Sequence, residues 1–558
     1  HFGGSSRSRK PVVFPVRAAH FAWLPLTRWP PLQTGERRYF TGRAQMSFHL
    51  KDPRDGASAL EIEASMSGST ARRKPLGMWA VVFIVFFNVS GGPIGSEEVV
   101  STCGPLPGFV GVFAFMFLWG MPVAMITSEL SSALPNNGGY SIWVSEAFGE
   151  FWGFQESSWS WTSGVVDNAL YPVLAYQTGV RLLGGREAEP LDEELKPVGD
   201  WDAYMWKLLL VAVFTVPNLL SPRSFGLGLG FAFLLVISPF FVFCGMSMYN
   251  SGGGDLARLT QIRNAASHED YAALAATLYW NWSGFDCVSM CAGEVRDPGR
   301  SYPRGLAAAM GIILVAYLMP LSVAVVHGTP RWESWDAGCL STIALKQVGR
   351  WMALWVVVSA FVANFGQYSA ELFEDSWQLA GMADVGMLPA VFGRRHPFFG
   401  TPWLAIFFQV AVISFFVSFD FRSIIIVDNC FSVLGTLLEM AAFVKLRVSR
   451  PEMPRPFAVP TRSAFGLAVF IFSPAVVGTT VFICSFTGRG WKIPAINLVG
   501  LACGPLVYLA MKHVSGACYV PGPGSGEVDP TVPSFTCARS VTEGLADHGG
   551  GAAALPGK

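Results

Sequence analysis

Acidic side chains recur inside long apolar stretches of this chain, where a charge is costly. On insertion scales, a charged side chain at the centre of a membrane helix costs at least about 2.5–3.5 kcal/mol, so each acid needs a partner or a function. Basic residues are almost absent from the same stretches. The carboxyl groups therefore indicate protonation, a bound metal cation or a cationic solute. The acids concerned are Glu97, Glu98, Glu129, Asp167, Asp286, Glu294, Glu371, Asp428 and Glu439.

Asp167 stands in the middle of one such stretch. Gly164 lies three residues before it and Tyr171 four residues after it, so on a helix they share its face. That face offers a carboxylate, an aromatic hydroxyl and a gap. We predict that Asp167 and Tyr171 contact a solute or a proton. The alternative is a neutral, hydrogen-bonded Asp that joins two helices.

Asp286 is surrounded by aromatic residues. Trp280, Trp282 and Phe285 all lie within about a turn of it. A carboxylate flanked by aromatic faces can hold an alkylammonium group, because charge attraction and the cation–π interaction add. We predict Asp286, Trp280 and Trp282 as solute contacts.

Three further acids are assigned with less specific signals. Glu97 and Glu98 begin a half-helix, where the helix dipole favours an anion. For Glu97 a ligand role and a capping role are equal alternatives, and Glu98 is predicted to be a cap. Glu371 is predicted as a pathway acid, whereas Glu374 and Asp375 are expected at the water boundary.

The elements that must position these acids are membrane helices. The chain has 558 residues, of which 51% are hydrophobic and 14% charged, against roughly 25% charged in soluble domains. Twelve apolar stretches are long enough to cross about 30 Å of hydrocarbon. They span 77–102, 106–133, 150–181, 203–220, 225–249, 274–295, 303–327, 350–377, 402–419, 422–446, 465–486 and 494–512. This pattern predicts an all-α integral membrane protein and excludes a soluble enzyme or a nucleic-acid binder.

The first and sixth stretches are interrupted near their middles. The first contains Gly91, Gly92 and Pro93, and the sixth contains Ser283 and Gly284. Paired interruptions in corresponding positions mark a transporter binding site, because unwound backbone frees polar groups for a solute. We therefore predict Gly91 and Gly92 as part of the site. The alternative is that these glycines only permit close helix packing.

Charge and composition outside the stretches predict the domain organisation. Residues 1–75 are predicted to be a disordered basic extension, 76–513 the helical domain and 514–558 a disordered tail rich in Gly and Pro. Basic clusters between the stretches place both termini in the cytoplasm. The plasma membrane is the default location, and an organelle transit peptide within 1–45 is the alternative.

Motifs of other function classes are missing from the sequence. It contains no Walker loop, no Gly-x-Ser-x-Gly elbow and no His-Glu-x-x-His. The ten cysteines lack the paired spacing of a metal site. We expect no catalytic residues, no metal and no cofactor, and a formal net charge of zero gives no reason to expect a nucleic-acid partner. Any coupling must use an ion gradient.

The order of short motifs resembles the amino acid–polyamine–organocation superfamily, and specifically its plant and protist polyamine uptake branch. These motifs are SGGPIGSEE at 90–98, PNNGGY at 135–140, AFG at 147–149, FWGFQE at 151–156, VDNALYP at 166–172, AGEV at 292–295 and GMLP at 386–389. The resemblance implies a LeuT-like five-plus-five inverted repeat with two added helices, discontinuous helices 1 and 6, and alternating access. It also implies a polyamine substrate whose ammonium groups meet acids matching Asp167, Asp286 and Glu371.

The leading hypothesis is a secondary active importer of polyamines such as putrescine or spermidine, coupled to protons. One alternative is an amino acid permease or exchanger of the same fold. The other is a nutrient receptor that binds without transport. A disulfide-linked heavy chain is not expected, because residues 182–202 contain no cysteine.

Overall fold

The computed structural model describes residues 76–136, 138–184, 201–220, 225–264, 266–384, 387–461, 463–487 and 490–515. The predicted N-terminal extension, 1–75, and residues 516–558 of the predicted tail lie outside the described residues. Where the chain is described, α-helices dominate. The prediction of an all-α membrane protein is confirmed.

The N-terminal half of the described chain forms nine α-helices, with a π-helical segment, Met116–Gly120, between α3 and α4. They are α1 (Met78–Val89), α2 (Glu98–Cys103), α3 (Pro105–Phe115), α4 (Met121–Ala133), α5 (Gly139–Phe148), α6 (Glu150–Asp167), α7 (Leu170–Gly184), α8 (Trp201–Leu220) and α9 (Phe225–Asn250).

The C-terminal half forms eight α-helices in the described residues, with a 3₁₀ segment, Cys287–Glu294, after the first of them. They are α10 (His268–Asn281), α11 (Pro298–His327), α12 (Leu340–Gln347), α13 (Arg350–Asp384), α14 (Trp403–Phe416), α15 (Phe421–Ser449), α16 (Ala464–Thr487) and α17 (Lys492–Ser515).

Each of the twelve predicted stretches coincides with a helix or with a consecutive pair of helical segments. Among the described residues, seven helical spans are long and apolar enough to cross a membrane. They are Pro105–Ala133, Gly230–Asn250, Pro298–His327, Arg350–Ala383, Phe421–Ser449, Ala464–Thr487 and Lys492–His513. The short helices α5 and α12 fall between the predicted stretches and were not predicted.

Burial separates the inner helices from the outer ones. α15 packs against α5, α6 and α16, and 67% of its most apolar segment is buried. By contrast, only 11% of the most apolar segment of α17 is buried. On α9 and α16, large side chains such as Phe231 and Phe472 are exposed, as expected where lipid replaces water as the solvent.

The first predicted break separates α1 from α2. Gly91 and Gly92 have φ values of +57° and +111° there, a region that residues with a Cβ rarely enter. Gly284, with φ of +90°, stands in the second break, between α10 and the following 3₁₀ segment. The predicted discontinuous first and sixth helices are therefore present.

The two breaks lie side by side. The Tyr317 hydroxyl, on α11, lies 3.3 Å from the carbonyl oxygen of Val89 and 3.3 Å from that of Asn281. Val89 and Asn281 are the last residues of α1 and α10. A Cβ added to Gly284 would come within 2.7 Å of the carbonyl oxygen of Asn88. The absence of a side chain at Gly284 is thus what allows the broken helices to meet.

Candidate substrate site

A cavity opens beside the two breaks, between α6, α10, α13 and α15. Eight of the residues that line it are acidic. Among the described lining residues none is Lys, Arg or His. The eight acids are Glu156, Asp167, Asp286, Glu371, Glu374, Asp375, Asp428 and Glu439.

One face of α6 supplies a stripe of lining residues that continues onto α7. Their spacing of three or four residues keeps them on one side of a helix, so the stripe runs along the wall of the cavity. In chain order they are Glu156, Ser160, Ser163, Gly164, Asp167 and, on α7, Tyr171. An acid thus stands at each end of the α6 stripe, with hydroxyl groups between them.

A similar stripe runs along α15. It begins at Asp428, continues through Ser432, Gly435 and Thr436, and ends at Glu439. Again an acid stands at each end and small or hydroxyl residues fill the middle. The two stripes lie on helices that pack against each other, and they line the same cavity.

Asp167 is held by aromatic donors. The Trp280 indole Nε1 donates a hydrogen bond of 2.7 Å to Asp167 Oδ1, and the Tyr171 hydroxyl lies 2.6 Å from Asp167 Oδ2. The same hydroxyl lies 2.8 Å from Glu371 Oε1. A tyrosine hydroxyl has one proton to donate, so a second hydrogen bond requires a proton on one of the two carboxyl groups. The arrangement is suited to hold a proton between Asp167 and Glu371.

The remaining cavity acids contact uncharged groups or one another. The Ser163 hydroxyl donates a hydrogen bond of 2.5 Å to Asp428 Oδ1, and Gln409 Nε2 donates one of 2.8 Å to Asp375 Oδ2. Glu156 is completely buried, and neither of its carboxyl oxygens has a hydrogen-bond partner among the described residues. An unpartnered buried carboxyl group is costly, so this side chain calls for a ligand or a proton.

Asp286 belongs to the same cavity, at the second break. Its carboxyl group lies near those of Glu439 and Glu156. Two carboxyl groups in such contact must share a proton or a cation. Helix α10, the 3₁₀ segment, α6 and α15 together bring these acids to one end of the cavity.

The structure brings together five of the nine predicted site residues. Asp167, Tyr171, Trp280, Asp286 and Glu371 all line the cavity. Their sequence separations reach 204 residues, so the grouping is a product of the fold.

The other four predicted residues lie beside the cavity lining. Trp282 is fully buried and stacks on Phe285, with 6.2 Å between the ring centroids. Gly91 faces the Gln367 side chain, and Gly92 faces Val236.

Glu97 is the fourth residue beside the lining, and its contacts are with backbone. It is fully buried, and its carboxylate accepts hydrogen bonds from Gly95 N at 2.7 Å and from Leu340 N at 3.2 Å. It therefore occupies N–H groups at the first break. Its role in solute or proton binding remains a prediction.

Three cavity acids, Glu156, Glu374 and Asp375, were missed by sequence reasoning, and Asp428 and Glu439 were recognised as buried acids but not assigned to the site. Glu374 and Asp375, expected at the water boundary, line the cavity, and Asp375 is buried, so that expectation was wrong. Glu156 was not singled out at all. Helical spacing could have found all three, because Glu156 lies eleven residues before Asp167 and the other two lie one turn after Glu371.

Two other buried acids differ from those in the cavity, because they are paired with arginines. Glu98, in the first turn of α2, lies 2.9 Å from Arg422. Glu129 lies 2.5 Å from Arg447 and 3.1 Å from Arg455. Nothing in the described part of the chain groups three His, Cys, Asp or Glu side chains in a way that could hold a metal ion.

Comparison with known proteins agrees with this architecture. Residues 76–494 match the amino acid permease family, and the chain belongs to that family. It is similar to the polyamine transporter PUT1 of Oryza sativa subsp. japonica, with 32% identity covering 85% of this chain and 87% of that protein. The polyamine transporter RMV1 of Arabidopsis thaliana is 31% identical over 79% of this chain and 86% of its own.

A more distant similarity covers only part of the chain. The cationic amino acid transporter 8, vacuolar, of Arabidopsis thaliana is 30% identical over 32% of this chain and 29% of that protein. The family and these relatives are transporters, and this protein is an integral membrane member of the family rather than an enzyme.

Proposed function

We propose that this protein is a secondary active importer of polyamines of the putrescine and spermidine class. In this proposal it is coupled to protons and works by alternating access of the five-plus-five inverted repeat. The observation that carries the proposal is the cavity itself, where eight carboxyl groups meet and none of the described lining residues is basic. Carboxyl groups placed this way must be neutralised by protons or by a cationic solute.

Aromatic groups make the site suitable for an organic cation. Trp280 and Tyr171 stand against Asp167, so a solute ammonium group bound there would meet both charge and aromatic surface. The names of similar proteins support the same substrate class, since PUT1 and RMV1 are polyamine transporters.

Proton coupling is proposed from the contacts of Tyr171. Its single hydroxyl proton serves one of two nearby carboxyl groups, so the other is poised to be protonated in the absence of a solute. That proton would stay beside Asp167 while an ammonium group binds the ionised carboxyl groups of the cavity, so that solute and proton cross the membrane together. Binding and protonation would then be linked at one place.

The first break favours a polyamine over an amino acid. In amino acid carriers of this superfamily the solute carboxylate docks on backbone N–H groups of this break. Here Gly91 N donates to Phe86 O at 2.9 Å, Gly92 N to the Ser90 hydroxyl at 3.1 Å and Gly95 N to the Glu97 carboxylate. The protein's own groups therefore occupy three of these donors.

An amino acid permease or exchanger is the second candidate, and family membership favours it. Leucine and arginine would compete for uptake in that case, whereas a non-transporting receptor would bind solute without accumulation. We propose that both termini lie in the cytoplasm, because basic residues concentrate in alternate loops. The plasma membrane is the default location in this proposal.

Uptake by proteoliposomes tests the proposal. Labelled putrescine and spermidine should accumulate, faster with an imposed proton gradient, and leucine should not compete. Asp167→Asn should abolish accumulation. Asp255→Asn is the matched control, because Asp255 is exposed and pairs with Arg258 far from the cavity lining. Leucine-sensitive uptake, or normal uptake by Asp167→Asn, would contradict the proposal.

A further inference from the structure

The acids of the cavity stand at two levels along the helices. On α6, Glu156 and Asp167 are eleven residues apart, and on α15, Asp428 and Glu439 are also eleven residues apart. At 1.5 Å per residue, this separation is about 16 Å along the helix axis. Each helix therefore carries two acids that are separated by the same distance along its axis.

Contacts between α6 and α15 show how the two helices are aligned. Ser163 on α6 hydrogen-bonds Asp428 on α15, and a Cβ added to Gly435 on α15 would lie 3.0 Å from Glu156 Oε1. Moving back seven residues on α6 thus corresponds to moving forward seven on α15, so the helices run antiparallel. Asp167 lies near Asp428, and Glu156 lies near Glu439. In this register the two members of each pair are offset by four residues, about 6 Å along the axis. We call Asp167 with Asp428 the first acidic rung and Glu156 with Glu439 the second.

Neighbouring helices add acids to both rungs. Asp375 approaches the first rung, since a Cβ added to Gly164 would lie 2.6 Å from its carboxylate oxygens. Glu371 joins through Tyr171, and Asp286 joins the second rung through Glu439. The wall between the rungs carries the hydroxyl groups of Ser160, Ser432 and Thr436.

The second rung contains a carboxyl group that is free to bind a ligand. Glu156 is completely buried, lines the cavity and leaves both carboxyl oxygens without a hydrogen-bond partner among the described residues. In contrast, Asp167 of the first rung already accepts hydrogen bonds from Trp280 and Tyr171. Both oxygens of Glu156 are therefore available to accept hydrogen bonds from a ligand.

We infer that the two rungs bind the two end ammonium groups of one linear polycation, so that the cavity selects polyamines by length. This inference rests on the proposed function and makes Glu156 and Glu439 specificity-determining residues. Each ammonium–carboxylate contact takes up about 3 Å, so a chain must span about 10 Å or more between its terminal nitrogens to join the two acids of one helix, Glu156 with Asp167 or Asp428 with Glu439.

The natural polyamines differ in the distance between their terminal nitrogens. An extended chain advances about 1.2 Å per bond, which gives about 6 Å for putrescine, about 11 Å for spermidine and about 16 Å for spermine. Putrescine is too short to join the two acids of either helix. Spermidine and spermine reach both, so we expect them to bind more tightly.

A series of diaminoalkanes tests the inference on the unaltered protein. Diamines with four to twelve carbons are used to inhibit uptake of labelled putrescine, and alkyl monoamines of equal carbon number control for the apolar chain. The inhibition constant should fall at least tenfold between four and ten carbons for the diamines, beyond any fall for the monoamines. Equal trends in the two series would overturn the inference.

Substitutions in the second rung give an independent test. In Glu156→Gln and Glu439→Gln, the KM for spermine should rise at least tenfold, and the ratio of the putrescine KM to the spermine KM should fall at least fivefold. Glu146→Gln is the matched control, because Glu146 is a half-exposed partner of Arg450 outside the cavity lining. An unchanged ratio in both rung variants would overturn the inference.

The same data separate the inference from the proposed function. Putrescine, spermidine and spermine uptake with equal KM values would contradict length selection and leave polyamine transport standing. Absence of uptake for all three in the wild-type protein would contradict polyamine transport itself, and the length selection with it.

Discussion

Buried acids occur in two different settings in this protein. Glu129 is fully buried, and it lies 2.5 Å from Arg447, 3.1 Å from Arg455 and 2.7 Å from the Val459 backbone N–H. Glu156, just as buried, has no hydrogen-bond partner among the described residues. Glu129 is neutralised by arginines of the protein, whereas Glu156 has no such partner among the described residues.

The difference teaches how to separate structural acids from functional ones. A buried carboxylate with two arginines and backbone donors fixes one helix against another, here α4 against α15 and the loop after it. Acids that gather without a basic residue cannot stabilise the fold while ionised, because their charges repel. In the proposed function, protons or a bound cationic solute neutralise them.

The largest effect is expected from Asp167→Asn. Removing one partner of a buried charge pair costs about 2–5 kcal/mol, which lowers the rate of polyamine uptake about 100-fold at moderate concentrations. Thermal unfolding in detergent should change little, because Asp167 has no cationic partner in the described cavity lining. Loss of folded protein together with uptake would mean that Asp167 is a structural acid like Glu129.

The reverse pattern is expected for Glu129→Gln. This change leaves Arg447 and Arg455 without their buried carboxylate, at a cost of about 3–5 kcal/mol in the free energy of unfolding. Thermal unfolding should shift strongly downward, while the KM of the remaining folded transporter stays within twofold. A changed KM at normal stability would place Glu129 in the transport pathway and remove the contrast.

Tyr171→Phe is expected to have an intermediate effect. It removes the hydroxyl between Asp167 and Glu371, and a hydrogen bond to a charged group contributes about 1.5–3 kcal/mol. Uptake should fall about tenfold, and its dependence on external pH should flatten because the shared proton is lost. Measurement of initial uptake rates at several pH values checks both. A tenfold fall with an unchanged pH profile would contradict the proposed proton site.

Glu98→Gln should have a smaller effect on stability than Glu129→Gln. The arginine partner, Arg422, keeps 54% of its side chain exposed, so water screens the pair. Exposed or half-exposed ion pairs contribute at most about 1 kcal/mol. Thermal unfolding of the two variants side by side measures the contrast, and equal destabilisation would show that exposure does not decide the strength of these pairs.

The smallest effect is expected from Asp270→Asn, at the exposed start of α10. The Ser267 backbone N–H donates a hydrogen bond of 2.8 Å to Asp270 and holds the pKa of its carboxyl group below its ordinary value. The stabilising contribution, about 0.5 kcal/mol, is present above the ordinary pKa and is lost as pH falls through the lowered one. Unfolding midpoints of variant and wild type should thus differ slightly at pH 7 and converge in acid; a constant difference would argue against this cap.

Sequence reasoning found the helices and the breaks because both depend on local signals. Long apolar runs predict membrane helices, and Gly91, Gly92 and Pro93 cannot continue one. The short helices α5 and α12 escaped prediction because eight to ten residues are too few to stand out as apolar stretches.

The site was predicted less completely because it depends on distant contacts. Glu129 and Arg447 are 318 residues apart, so the sequence does not show that this acid is paired. The pairing of Ser163 with Asp428, 265 residues away, is equally hidden, and with it the second rung at Glu156. Asp167, Asp286 and Glu371 were predictable because each stands in an apolar stretch without a nearby base.

The most direct test of the account is the uptake of labelled spermidine into proteoliposomes containing wild type, Asp167→Asn or Glu129→Gln, normalised to folded protein. The account predicts accumulation by the wild type that leucine does not inhibit. It predicts near-complete loss in Asp167→Asn and normal uptake per folded molecule in Glu129→Gln. Equal uptake by wild type and Asp167→Asn would contradict the claim that the unpaired acids of the cavity bind the solute.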